Sequence, residues 1–138
     1  MSHRMMPAYR VGRRGRREQD IMYEIMTQGP VLAIMEIFRD FFSYKSGVYQ
    51  RSVAGGTNVV GYHAVRIIGW GEDTRVGKYW HVTNTWGDTW GEAGHVRITR
   101  GSNECRIEEM VTAAWPLGNR RRSRARQRRT RRRRHFSH

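Results

Sequence analysis

At 138 residues, with 26 lysines and arginines against 12 acidic residues and a formal net charge of +14, the chain is long enough for one domain at most. Six arginines lie in residues 1–17 and eleven in residues 119–138, which leaves residues 18–118 with nine cations against twelve carboxylates. A mildly acidic body therefore sits between two basic arms that hold too little apolar surface to offset the entropy of ordering them, so residues 1–17 and 119–138 are expected to be disordered.

Within the body, Glu18 to Gln28 puts Ile21, Met22, Ile25 and Met26 on one face at helical spacing, with Asp20 as the expected cap and Gly29-Pro30 as the stop. Val31 to Phe38 is apolar, β-branched and immediately follows proline, which predicts a strand. Asp40 to Gly47 reads as an aromatic-rich turn, and Ala54-Gly55-Gly56-Thr57 separates Gly47-Val48-Tyr49 from the next strand. That strand, Tyr62 to Trp70, alternates His63, Val65 and Ile67 on one face. Lys78 to Thr83, Gly94 to Thr99 and Met110 to Trp115 supply three more, punctuated by Gly71, Gly77, Gly91 and Gly101. One helix followed by glycine-spaced strands predicts an α+β fold with a small antiparallel sheet or barrel.

Two further exclusions follow. The single cysteine, Cys105, cannot close a disulfide within the chain, and the opening Met1 to Arg10 holds no apolar core of a secretory signal. No run approaches the ~18 apolar residues of a membrane span.

The chemistry-bearing residues are His63 in Gly61-Tyr62-His63-Ala64-Val65 and Asn84 in Asn84-Thr85-Trp86-Gly87. A thiol near neutral pH is mostly protonated, so a cysteine hydrolase places an imidazole beside the sulfur and a third group to hold the ring. His and Asn are the residue types for those last two roles. A histidine in an apolar strand is more often structural, and the words around this one decide the matter.

His63-Ala64-Val65-Arg66-Ile67-Ile68-Gly69-Trp70-Gly71, then Lys78-Tyr79-Trp80, then Asn84-Thr85-Trp86-Gly87-Asp88-Thr89-Trp90-Gly91-Glu92 closely resembles the C-terminal half of papain-like cysteine proteases. Upstream, Asp40-Phe41-Phe42-Ser43-Tyr44-Lys45-Ser46-Gly47-Val48-Tyr49 is similar to cathepsin B and to its relative, tubulointerstitial nephritis antigen. The resemblance covers residues 18–116. It implies the antiparallel β-barrel lobe of the papain-like fold, with one short helix at its start. It also implies that His63 is the general base and acid, that Asn84 orients it, that Trp86 shields their hydrogen bond and that Gly87 fits the turn beside the indole. No metal or organic cofactor is implied. The family's nucleophile lies well upstream of its histidine, and no cysteine precedes His63 here, so the chain is expected to be inactive alone. A peptide substrate would be bound only after completion by an N-terminal lobe, and the family's setting is extracellular or lysosomal.

Three departures qualify the likeness. Arg106 stands where the cathepsin B pattern has glycine after the cysteine, which puts the local turn in doubt. Met110 falls where an acidic residue forms the floor of the S2 pocket, and Thr85 replaces the commoner serine. Glu104-Cys105-Arg106-Ile107-Glu108 leans toward the nephritis-antigen branch, whose members replace the nucleophile, so a non-catalytic matrix protein is an alternative. Cys105 itself matches a structural cysteine, and Trp70, Trp80, Trp86, Trp90 and Trp115 are read first as core and turn-packing residues.

The tail carries Arg120, Arg121, Arg122, Arg124, Arg126, Arg128, Arg129, Arg131, Arg132, Arg133 and Arg134 with no aromatic before Phe136. Such a polycation binds nucleic acid, glycosaminoglycan or anionic lipid by counterion release, without sequence specificity, and makes polyanion binding a second alternative.

Overall fold

The computed structural model describes residues 9–52 and 58–113. Its strands are β1 (Tyr9–Val11), β2 (Val31–Ile37), β3 (Val48–Tyr49), β4 (Gly61–Asp73), β5 (Gly77–Thr83), β6 (His95–Thr99) and β7 (Met110–Ala113). Its helices are α1 (Arg17–Thr27) and α2 (Arg39–Phe42), and Glu104–Arg106 forms a 3-10 turn. The expected single helix is therefore joined by a second, inside the segment read as an aromatic turn. None of the helices among the described residues is long and apolar enough to cross a membrane.

The seven strands form one sheet in the order β1-β7-β2-β4-β5-β6-β3. This corrects the expected antiparallel barrel: β1 and β3 are edges that do not pair with each other, and β3 runs parallel to β6. Closure would need the edge strands to meet, and here they are only three and two residues long. Such short edges also offer little backbone to a foreign strand.

Alternation builds the core. Along β2, Val31, Ala33, Met35 and Ile37 are buried, and their partners on β4 are Ile67, Val65, His63 and Gly61. Trp80 and Val82 of β5, Val96 and Ile98 of β6, and Val111 and Ala113 of β7 complete that face. Helix α1 covers it through Ile21, with Met22 and Ile25 packed beside, whereas Met26 is exposed. On β4 the alternation breaks at Ile68, a bulge residue between the pairs Ile67↔Val82 and Gly69↔His81.

The leader differs from its expected disorder in its last nine residues. Tyr9–Val11 pairs with Val111–Ala113, Val11 is buried, and Tyr9 Oη donates to the Glu24 carboxylate on α1. Asp20 does not cap the helix. Arg16 occupies the cap position, and Asp20 instead accepts the Arg13 backbone N–H at 2.8 Å and its guanidinium at 2.9 Å. Four residues into the helix, its side chain reaches back to the preceding turn rather than to the first helical N–H groups.

Candidate active site

His63 enters the site from the start of β4, opposite Met35 of β2, and Asn84 follows the last residue of β5. The β4–β5 hairpin thus brings together two residues 21 apart in sequence: His63 Nε2 and Asn84 Oδ1 are separated by 2.6 Å. The backbone N–H of Thr85 donates to the same Oδ1 at 2.8 Å. Two donors converging on one atom identify it as the amide oxygen, so His63 carries its proton on Nε2. Its Nδ1 is then the basic nitrogen. Asn84 Nδ2 is buried and has no hydrogen-bond partner among the described residues.

The loop between β5 and β6 holds Asn84 in place. Asn84 N–H donates to Gly94 C=O at 3.1 Å, while Glu92 and His95 exchange backbone hydrogen bonds of 2.9 and 3.0 Å. Gly91, at φ +61°, permits this closure, because a Cβ there would lie 2.6 Å from the His95 carbonyl oxygen. Gly87, at φ +91°, supplies the left-handed turn after Trp86, with open space around it.

Trp86 lies beside His63, its ring 5.1 Å from the imidazole and tilted by 31°. Behind it, Phe42 of α2 stacks in parallel at 5.1 Å, and Phe41 and Trp90 meet the indole edge-on at 5.4 and 5.2 Å. Trp90 Nε1 donates to the carbonyls of Phe41 and Phe42 at 3.3 and 3.2 Å. Helix α2 is therefore part of the site's support. Sequence reasoning missed this, because Phe42 and Trp86 are 44 residues apart. The only local signal was the density of aromatics after Asp40.

On the opposite face of the sheet, Met110 borders an apolar cavity of about 270 Å³ with Arg10, Leu32, Ala33, Ile34, Ala64 and Thr112. Ile34 lies opposite both Ala64 and Met110, and Ala64 follows His63 directly, so the cavity adjoins the site from the far side of β4. A larger groove of about 590 Å³, between Arg13, Arg16, Met22, Tyr23 and Trp70, includes neither His63 nor Asn84 in its wall.

Cys105 is buried in the 3-10 turn, and desolvation followed by the Glu104 carboxylate pushes its thiol up to about 12. A nucleophilic thiol needs the opposite shift. Arg106, whose place in the turn was in doubt, adopts φ +57° and the turn forms around it, tied by its ion pair with Glu109 at 2.7 Å. Trp115 and every tail arginine from Arg120 to Arg134 lie outside the described residues. Among the described residues, no group of three or more His, Cys, Asp or Glu side chains is arranged to hold a metal ion.

The family model for papain family cysteine proteases matches residues 3–115. A mouse protein described as tubulointerstitial nephritis antigen-like is 44% identical over 122 residues, covering 82% of this chain and 26% of that protein. A cathepsin B-like cysteine proteinase of Schistosoma japonicum is 48% identical over 96 residues, covering 70% of this chain and 27% of the relative. Among solved structures, procathepsin B of Trypanosoma congolense superimposes with a TM-score of 0.66 at 39% identity, over 72% of this chain and 32% of that one. The bromelain protease of Ananas comosus gives a TM-score of 0.62 at 34% identity, over 79% and 48%. The chain spans about a quarter of the length of these curated relatives.

Proposed function

Because the chain belongs to the papain family of cysteine proteases, we propose that it supplies the His/Asn half of a cysteine peptidase site and hydrolyses no peptide unaided. The observation that carries this is the 2.6 Å bond from His63 Nε2 to Asn84 Oδ1, with Trp86 beside it. With Nε2–H held by the amide, Nδ1 is left to take the proton of a thiol supplied from outside these residues. The resulting thiolate attacks the peptide carbonyl, and the imidazolium returns its proton to the leaving amine. Asn84 keeps the ring in the orientation both transfers need. Cys105, buried and with its thiol protonated, does not serve as that nucleophile.

The cavity beside Met110 suits an apolar substrate side chain and offers no carboxylate to a basic one. Trp86 and Phe42 present aromatic surface on the leaving side. The setting we propose for the assembled protein is extracellular or lysosomal, as the family resemblance implies.

A second reading rests on the length of the match. Nephritis antigen-like and nephritis antigen relatives align over 118 to 122 residues at 42–44% identity, against 93 to 102 residues for the cathepsin B-like proteinases. In that reading the same lobe belongs to a non-catalytic matrix protein.

One experiment tests the first reading. The purified chain is assayed on a fluorogenic peptide, alone and mixed with a separately expressed N-terminal half of a cathepsin B-like proteinase. We expect no thiol-sensitive turnover alone and measurable turnover in the mixture that disappears with His63→Ala. Turnover by the chain alone, blocked by a thiol reagent, would overturn the claim of inactivity; a mixture whose activity ignores His63→Ala would overturn the assigned base.

A further inference from the structure

A second pair of histidines stands at the base of the loop that carries Asn84 and Trp86. His81 of β5 and His95 of β6 approach with Nε2 of the first 3.0 Å from Nδ1 of the second. Their ring centroids are 5.0 Å apart, which exceeds the nitrogen separation by nearly two ring radii. The two nitrogens are therefore the facing atoms of the rings, at hydrogen-bond distance. That arrangement holds one proton between two imidazoles, and among the described residues no group of three or more His, Cys, Asp or Glu side chains stands there to hold a metal ion.

The surroundings are sparse in charge. From β6, Arg97 faces the pair, with its guanidinium also over the Tyr79 ring of β5 at 5.3 Å. From the loop comes Glu92, whose carboxylate is taken by Arg97 at 2.9 and 3.0 Å and by Tyr44 Oη at 3.0 Å. On β4 the residue opposite His81 is Gly69, which brings no side chain at all. Among the described residues, the Glu92 carboxylate beside the pair is thus already bound, and the Arg97 guanidinium opposes further positive charge.

His95 is also the residue at which the loop closes. It exchanges backbone hydrogen bonds with Glu92, pairs with Thr83 across the ladder, and follows Gly94, whose carbonyl receives the Asn84 N–H.

We propose that His81 and His95 form a proton-sharing latch at the base of the 84–94 loop, and that a second proton on the pair opens it and loosens the loop's hold on Asn84 and Trp86. With no proton or one, the two rings bond; with two, both nitrogens are donors and both rings are cations. Desolvation, then His95, holds the His81 imidazole below its ordinary range in the folded chain. The unfolded chain therefore takes up the His81 proton first, so the stability due to the bonded pair is complete above about pH 6.5 and declines as acid is added. The consequence for catalysis rests on reading His63 and Asn84 as base and orienting amide, while the coupling of latch to loop does not.

The test is a titration of the full chain from about pH 7.5 to about pH 4.5 by NMR, following imidazole Cε1–H and indole Nε1–H resonances. It is run on His63→Gln, so that the imidazole touching Trp86 contributes nothing. The Trp86 and Trp90 indole signals are expected to move with the midpoint of His81 and His95, and that movement is expected to vanish in His63→Gln/His95→Phe. Should the phenylalanine variant not fold, His81→Gln, which keeps a neutral hydrogen bond to His95, serves in its place. Indole signals that ignore the midpoint of the pair, or that keep it after either substitution, overturn the latch. A latch seen in a chain that never gains activity with the complementary half keeps this inference and sinks the catalytic one.

Discussion

Glu108 is 3% exposed and carries a carboxylate into the core, where its Oε2 accepts Trp80 Nε1–H at 3.0 Å and Gly101 N–H at 2.7 Å. Removing it would leave two buried donors without an acceptor, each a desolvation cost of order 1–3 kcal/mol. Glu108→Ala is expected to destabilise the chain by about 3 kcal/mol, and Glu108→Gln by roughly half as much, because the amide keeps one acceptor oxygen. Urea unfolding followed by tryptophan emission would measure both. Arg106 presents the opposite case. Its φ of +57° is a conformation that glycine adopts freely and a β-carbon does not, and the ion pair it makes with Glu109 is solvent-exposed. Arg106→Gly is therefore expected to raise the melting temperature by a few degrees, read by differential scanning calorimetry. A fall would mean that the ion pair outweighs the strain.

At the scale of elements, the start of α1 is held by the Arg13 guanidinium and backbone N–H, which bring the Asp20 carboxyl down to about 2. A carboxyl lowered in the folded state contributes stability that is present above its ordinary 3.8 and lost as pH falls through about 2. Asp20→Asn should therefore melt below the parent chain at neutral pH and converge with it once the carboxyl is protonated, as circular dichroism at 222 nm would record. The same region shows why some elements are legible in sequence and others are not. The alternation of His63, Val65 and Ile67 declared β4, because burial on one face leaves a period of two. The bulge at Ile68 left no such trace, since Ile67 and Ile68 are both apolar. β1 was hidden among arginines, and its partner, β7, begins about a hundred residues later, so nothing local could announce the pairing. Helix α2 spans four residues, too few to display a period. At the site, the residue types were legible, but the nitrogen that carries the His63 proton and the Phe42–Trp86 stack became visible only in three dimensions.

At the scale of the whole molecule, one face of the sheet has no covering layer among the described residues. Leu32, Ile34, Tyr62 and Met110 are 54, 39, 65 and 50% exposed on adjacent strands β2, β4 and β7. Contiguous apolar surface of this kind drives association. Leu32→Glu with Tyr62→Lys is expected to reduce concentration-dependent self-association in sedimentation velocity while leaving the melting temperature within a few degrees of the parent; unchanged sedimentation would refute the role of this face. The basic tail makes a separate expectation: deleting residues 119–138 should abolish retention on heparin at low salt, and the intact chain should elute progressively earlier as salt is raised. Retention that survives the deletion would move the binding to the body. The pairing of Tyr9 with Ala113 has a consequence of another kind. The described chain enters and leaves the sheet side by side, so a linker of a few residues could join the two points without crossing the molecule. New ends could then be opened at the exposed tip of the β4–β5 hairpin, Thr74 to Val76. A circular permutant cut there would carry the same sheet in a different chain order, with His63 and Asn84 exchanged in sequence but not in space.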